Sequence, residues 1–408
     1  MSFIEEIVNR GFLYQCTNIE KLKNLDEKIV AYVGFDCTAN SLHIGNLLTL
    51  MLMRLFQKYG HQVIIIIGGA TSKIGDPSFK DKARPVLSDE EISWNIQGIK
   101  HSISKFLDIK KVIMLNNADW LYKYNYIDVL KEFGSYFSVN RMLTQESVKL
   151  RLGKKHHFSF LEFNYMLLQA IDFHYLHKNY NCNIQIGGSD QWGNIIMGVD
   201  LIRKICSKEV FGLTIPLITT ASGAKMGKTA QGAVWLNEDL LPPYDYFQYW
   251  RNIDDKDLLK FAKLYSDLED SKIEELSKKN INDAKKELAF ILTELCHGKE
   301  KAQNAKETAK AIFEKNDVSL SSSLLPSIDI KMDNLKDGIL LSDILVILKV
   351  VTSKSSARKL ILGNGVKIND IKISDQYFKI TKDHLPIKEN YIKLTVGKKN
   401  NILIKPSV

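Results

Sequence analysis

Four groups of residues in this chain have types and spacing suited to chemistry on phosphates and polar small molecules. One is His43-Ile44-Gly45-Asn46, a histidine, a glycine and a small amide at what reads as a helix start. Another is Lys225-Met226-Gly227-Lys228-Thr229, two lysines three apart in a loop able to wrap triphosphate oxygens. It is not a P-loop, because the preceding glycine spacing is absent. The glycines around these lysines have no packing role visible in the sequence. In Gly187-Gly188-Ser189-Asp190-Gln191 the paired glycines permit close backbone approach to a ligand. Tyr165, Gln169 and Asp172, spaced four and then three, form a polar stripe on one face of an apolar helix. A solvent-facing stripe would more commonly carry Lys and Glu, so this one points to a polar pocket. The set offers cations and hydrogen-bond donors rather than a nucleophile–base pair. It suits positioning and the stabilisation of developing phosphate charge.

The elements that must carry these residues follow from hydrophobic patterning. Ile29 to Gly34 is a short apolar run that suits a buried strand. A turn-rich connection to Leu42 holds Asp36, Thr38, Asn40 and Ser41, and a helix opens near His43. Strand, loop and helix in that order make half of a parallel βα unit, whose helix N-terminus attracts anions. Further strands are expected at Val63–Ile67, Val112–Leu115 and Cys182–Ile186. Their ends deliver Gly68-Gly69, Asn116-Asn117 and Gly187-Gly188 to one edge, where the ligand crevice of an open parallel sheet lies. Ser88 reads as an N-cap with Glu91 closing a capping box. Helices are expected over Ile127–Leu152 as a hairpin, over Phe158–Leu176, and from near Asn194. The N-terminal segment reads as an amphipathic helix with Phe3, Ile4, Ile7 and Val8 on its buried side.

The fold class expected is therefore α/β, a Rossmann-like doubly wound parallel sheet over residues 1–238. A helical domain at 239–318, a serine-rich linker at 319–338 and a small basic α+β domain at 339–408 follow. At 408 residues, 45% hydrophobic and 25% charged, the composition is that of an ordinary soluble globular protein. No apolar run approaches a membrane span, and the N-terminus lacks the features of a signal peptide. The five cysteines are scattered without metal-site spacing and read as cytosolic thiols. The last 70 residues hold 13 Lys and Arg against 5 Asp and Glu, so +8 of the net +9 sits in the tail. A polyanionic partner held there is one reading, and a merely solubilising surface is the other.

Taken in order, Tyr32-Val33-Gly34-Phe35-Asp36, His43-Ile44-Gly45-Asn46, Gly75-Asp76-Pro77, Gln185 to Trp192 and Lys225 to Thr229 resemble bacterial-type tyrosyl-tRNA synthetases, which are class I aminoacyl-tRNA synthetases. The resemblance covers essentially the whole chain. The basic tail resembles the RNA-binding fold first named for ribosomal protein S four. Two positions depart from the class pattern: Asn46 replaces a histidine, and the loop reads KMGKT rather than KMSKS. Asn46 can still donate a hydrogen bond and Thr229 keeps the hydroxyl, so the size of their contributions is affected rather than the reaction.

The resemblance implies a cytoplasmic homodimer with no membrane association, acting on L-tyrosine, ATP with Mg2+ on its phosphates, and tRNA(Tyr). It assigns Tyr32, Asp76, Tyr165, Gln169, Asp172 and Gln185 to tyrosine. Gly34, Asp36, Gly45, Gly187, Gly188, Asp190, Gln191 and Lys228 fall to ATP and the adenylate. Thr38, His43, Asn46, Lys80, Arg84, Lys225, Lys228 and Thr229 are implied as catalytic, with no dedicated metal ligand. In the tail, Lys354, Arg358, Lys359 and Lys367 would contact RNA phosphates. Lys80 and Arg84 could instead form a solvated basic loop, and Asp36 could be a turn or cap aspartate. A tryptophan-specific relative and a catalytically idle synthetase-like RNA-binding protein remain the rival readings. Tyr32 with Asp172 favours a phenol, since an indole has only a donor to offer.

Overall fold

A computed structural model of the chain describes residues 2–25, 28–78, 87–154, 157–220, 223, 226–229, 232–314, 327–348, 350–386, 390–397 and 400–407. The first apolar run becomes strand β2 (Val30–Asp36), and the Val63–Ile67 run becomes β3 (Gln62–Gly68). With β1 (Gln15–Cys16), β4 (Val112–Asn116), β5 (Ile184–Gly188) and β6 (Phe211–Ile215) they form one sheet, ordered β1-β6-β5-β2-β3-β4. Every pairing is parallel except β1 with β6. β3 reads Val63 to Ile67 without a polar residue, as a strand covered on both faces requires, and all five are buried. The strand order turns back between β2 and β5. That places the topological switch, and the ligand crevice outside the carboxyl ends, beside Tyr32, Asp36 and Gly188.

The helix Ile44–Lys58 follows β2, and the helix Asp89–Ser104 carries the expected capping box of Ser88 and Glu91. Helices Tyr165–Tyr180 and Trp192–Cys206 pack together over the second half of the sheet. Phe158–Leu176 is not one continuous helix: Phe160–Phe163 and Tyr165–Tyr180 are separate, with Asn164 capping the first. In the N-terminal helix Phe3–Arg10, Phe3, Ile4 and Ile7 are buried, but Val8 is exposed.

The chain divides into two compact units. The first holds residues 1–228, 233–242 and 249–298, and the second 229–232, 243–248 and 299–408. The helical region expected at 239–318 is helical over most of its described length, but it divides between the two units rather than standing alone. In the second unit a five-stranded sheet packs against helices Leu341–Ile347 and Lys354–Leu362, with Leu335, Ile344, Ile361, Ile392 and Leu394 in its core. The linker expected over 319–338 needs correction from residue 327 onward. Ser327–Lys331 is a strand paired in parallel with Asn400–Ser407, and Leu335 of the helix Met332–Asp337 is fully buried. Apolar burial and a complete ladder therefore place 327–338 inside the tail fold. Among the described residues, no helix is long and apolar enough to cross a membrane.

Candidate active site

The carboxyl ends of β2, β3, β4 and β5 enclose a cavity of about 530 Å³ in the first unit. Tyr32, Gly34 and Asp36 reach it from β2, and Gln185, Gly187 and Gly188 from β5. Thr38, His43, Gly45 and Asn46 line it from the loop and helix after β2. Asp76, Asp190 and Gln191 come from later connections. The polar stripe Tyr165, Gln169 and Asp172 does face a pocket, and it is this one. Lys80, Arg84 and Lys225 lie outside the described residues, and for Lys228 and Thr229 only the backbone is described.

At one end of the cavity Asp172 is 4% exposed and both its carboxyl oxygens are engaged. Trp120 Nε1 donates to Oδ1 at 2.8 Å and Asn117 Nδ2 to Oδ2 at 3.0 Å. Burial pushes this carboxyl up to about 7, against the pull of the two donors, and the charge of Asp36 adds to the rise. Tyr32 lies on the adjacent strand with its ring against Phe173, 5.3 Å between centroids. Burial, then the Asp172 charge, holds its hydroxyl well above the usual phenol range. That hydroxyl is buried without a hydrogen-bond partner among the described residues, as is Gln185 Oε1. A lost partner at such a position is expensive, so these atoms suit a polar ligand that supplies one.

The network continues through Asn117 Nδ2, which also reaches Thr71 Oγ1 at 3.0 Å, and Thr71 donates to Asp36 Oδ1 at 3.0 Å. Tyr165 Oη donates to the same carboxylate at 3.2–3.3 Å. Asp36 is thus neither a helix cap nor idle in a turn. A second network joins the opposite wall: Gln191 Nε2 donates to Asp76 Oδ2 at 2.9 Å, and Asn194 Nδ2 to Gln169 Oε1 at 3.0 Å. Asn117, Trp120, Thr71 and Asn194 were not among the expected site residues. Asn117 and Thr71 could have been found, because they follow strand ends at the crevice edge; nothing marked Trp120 or Asn194.

The other end is built from backbone. Asn46 Oδ1 accepts from the His43 N–H at 3.2 Å, closing the first turn and leaving the amide nitrogen of Asn46 as its donor. Met226 and Gly227 pack directly on this turn. Gly227 sits at φ +86°, and a Cβ there would come within 3.0 Å of the Gly45 nitrogen. The glycine of the lysine loop therefore does have a packing role: it lets two signature segments touch. A hairpin holds them, with Val234 N–H donating to Gly227 O and Ile44 N–H to Val234 O, each at 3.0 Å. Tyr249 Oη adds a 3.1 Å contact to Met226 Sδ.

In the second unit, Lys354, Arg358 and Lys359 share the helix Lys354–Leu362, and Lys367 lies on the strand Val366–Ile368. They are not equally available. Lys354 pairs with Asp343 at 2.9 Å, and Arg358 is half-buried over the Tyr377 ring, whereas Lys359 is exposed.

A model of the class I tRNA synthetases (W and Y) matches residues 23–314, and one of the tyrosine–tRNA ligase SYY-like C-terminal domain matches 319–404. The chain is 56% identical to the tyrosine–tRNA ligase of Rickettsia massiliae over 99% of its own length and all of that protein's. It is likewise 56% identical to that of Rickettsia prowazekii over the same shares. Among solved structures, a C-terminally truncated mitochondrial tyrosyl-tRNA synthetase from Aspergillus nidulans superposes with a TM-score of 0.69. It covers 76% of this chain and 94% of that one at 27% identity.

Proposed function

We infer that this chain, which belongs to the class I tRNA synthetases of the tryptophan and tyrosine group, is a tyrosine–tRNA ligase. The tyrosine carboxylate attacks the α-phosphorus of ATP and pyrophosphate leaves. The 3'-terminal ribose hydroxyl of tRNA(Tyr) then attacks the acyl carbon and AMP leaves. A carboxylate is already a nucleophile, so the first step needs no enzyme base.

The observation that carries the choice of amino acid is the buried Tyr32 hydroxyl, without a partner among the described residues, in one cavity with the fixed Asp172 carboxyl. A phenol hydroxyl both donates and accepts, and this pair supplies both halves. A site built to bond a hydroxyl rejects an analogue lacking it, a rule for which tyrosine-specific synthetases are the general example. Asp76, Tyr165 and Gln169, with Gln185 beside them, suit the ammonium. Asp36, Asp190, Gln191 and the glycines at 34, 45, 187 and 188 suit the ribose and acyl phosphate.

His43 and Asn46 stand at a helix N-terminus, where the dipole already favours phosphate, and Thr38 borders the same cavity from the loop before it. Lys80, Arg84, Lys225, Lys228 and Thr229 would meet the departing pyrophosphate. Magnesium would arrive on the ATP phosphates; among the described residues no three His, Cys, Asp or Glu converge on one point. The test is ATP–pyrophosphate exchange with each of the twenty amino acids. Tyrosine should drive it, with phenylalanine and tryptophan weak or silent. Best exchange with tryptophan would overturn the reading, and none with any amino acid would favour the idle RNA-binding alternative.

The basic tail suits tRNA phosphates, and five free thiols suit a cytoplasmic setting. A homodimer is supported by large apolar side chains left exposed in the first unit: Tyr126, Ile127, Val139 and Phe160 are each at least 59% exposed. Removing residues 319–408 should leave adenylate formation near normal and the protein still dimeric by sedimentation. Transfer to tRNA should fall sharply, with the log–log salt slope of tRNA binding flatter by about one per lost phosphate contact. Equal slopes for both proteins would return the tail to a solubilising role, and a monomer would move the dimer contact into the tail.

A further inference from the structure

Behind the cavity wall, three buried polar side chains meet. Ser41 is 4% exposed, Ser102 0% and Asn237 2%. Ser102 Oγ lies 3.3 Å from Ser41 Oγ and 3.0 Å from Asn237 Oδ1, and it accepts from the Leu42 N–H at 3.1 Å. Asn237 Nδ2 donates to Asn40 O at 3.1 Å and to Gly98 O at 2.9 Å, and the Asn237 N–H donates to Ser41 Oγ at 3.1 Å. Each residue belongs to a different element. Ser41 is two residues before His43. Ser102 lies on the helix Asp89–Ser104, which follows the Lys80–Arg84 stretch. Asn237 lies on the segment that follows the hairpin and returns the chain from Met226-Gly227 to the His43 turn, where Leu236 N–H donates to Leu42 O at 2.9 Å.

Geometry this tight has a local cause. Gly98 faces Asn40 so closely that a Cβ would lie 2.0 Å from Asn40 O, so the helix and the loop meet backbone to backbone. A buried polar network with every member bonded specifies one arrangement, because any shift leaves donors or acceptors unpaired in a dry site. Ser102 and Asn237 stand away from the cavity, and Ser41 borders it through its loop.

We propose that Ser41, Ser102 and Asn237 form a positioning node that sets the phosphate-binding segments against one another for adenylate formation. This deepens, and rests on, the tyrosine–tRNA ligase reading. His43 and Asn46 on one side and the lysine loop on the other must act on the same phosphates, and the node ties both to the helix after Lys80 and Arg84. The tyrosine end of the cavity hangs on a separate network, from Trp120 to Asp36. Loss of the node should therefore lower the rate of adenylate formation and spare tyrosine affinity, since misplacement by about 1 Å can cost roughly 10²-fold in rate.

The experiment compares Asn237→Ala and the milder Ser102→Ala with the wild type, using single-turnover formation of tyrosyl-adenylate corrected by active-site titration. Thr293→Ala serves as a stability control: that hydroxyl is equally buried and bonded to Ala289 O at 2.6 Å, far from the node in sequence. We expect the adenylation rate per active site to fall about tenfold or more in Asn237→Ala and less in Ser102→Ala, with the tyrosine Kd within about twofold of wild type. Thr293→Ala should lose melting temperature without losing rate. A node variant that loses only melting temperature, or one in which tyrosine Kd weakens in step with the rate, overturns the positioning role. Failure of the wild type to form an adenylate with tyrosine would instead overturn the functional reading itself.

Discussion

At the end of the cavity proposed for tyrosine, Asp172 is held by two N–H donors in a continuous chain of bonds that runs through Asn117 and Thr71 to Asp36. At the end proposed for the phosphates, Thr38 is exposed, His43 and Asn46 are half-buried, and contact between segments is made by glycines and backbone. On that proposal the two ends have different tasks. Recognition of a phenol needs atoms fixed before the substrate arrives, because discrimination depends on leaving the wrong ligand unpaired. Adenylate formation needs charge to gather as pyrophosphate leaves, which favours cations on loops that can close. If that division is right, changes at one end should alter binding and changes at the other should alter rate.

The largest effect is expected from the lysines. Lys225→Ala or Lys228→Ala should slow adenylate formation by roughly 10²–10³-fold, the scale for removing one donor to developing charge. Tyrosine Kd should hardly move, because these groups act mainly in the transition state. Rapid-quench measurement at saturating substrates separates the two. A variant with an intact single-turnover rate and weakened tyrosine binding would break the comparison at its stronger side.

Asp172→Ala comes next. It removes a buried acceptor from the phenol and strands two buried donors, a loss of about 1–3 kcal/mol, or roughly 5–150-fold. The loss should appear in tyrosine Kd, with phenylalanine use unchanged, so selectivity narrows. Equal losses for tyrosine and phenylalanine would mean that Asp172 holds the fold and not the hydroxyl.

This asymmetry also governed what the sequence could reveal. The sheet was legible because β3 is an unbroken aliphatic run and β2 ends in a turn-rich loop. The stripe Tyr165, Gln169, Asp172 was legible because three polar residues on one face of an apolar helix must meet polar partners when that helix is buried. Trp120 and Asn194 were not: each acts through a neighbour brought close only by the tertiary fold, and each looks like an ordinary helix residue. The strand Ser327–Lys331 was missed for the same kind of reason. It is short, it sits after a serine-rich stretch, and its partner Asn400–Ser407 lies some seventy residues away. Gly227 was misjudged because a contact with Gly45 is invisible until the hairpin is closed.

The smallest expected effect is one of pH, and it tests the division most finely. The Asp172 carboxyl is raised to about 7, above the roughly 3.9 of an unfolded aspartate. The folded protein therefore binds this proton more tightly than the unfolded chain does. Its contribution to stability is full below about pH 4 and is lost as pH rises through 7, so unliganded protein should melt lower at pH 8 than at pH 5.5 through this group. Tyrosine binding should run the opposite way. Both carboxyl oxygens already accept N–H bonds, so protonation sets a donor where the phenol needs an acceptor, and tyrosine Kd should weaken as pH falls from 8 to 6. Asn117→Ala removes a donor that favours the charged form, so the midpoint of this titration should move to higher pH. Equilibrium dialysis with tyrosine across that range, for wild type and Asn117→Ala, reads the midpoint directly. The adenylation rate at saturating tyrosine should follow pH less than tyrosine Kd does over the same range, because most groups proposed for the phosphate end, Thr38, Asn46, Thr229 and the lysines, keep their charge there. A midpoint unmoved by Asn117→Ala would detach the titration from Asp172. A pH dependence carried by the rate alone would detach the response from Asp172 and return it to the phosphate end.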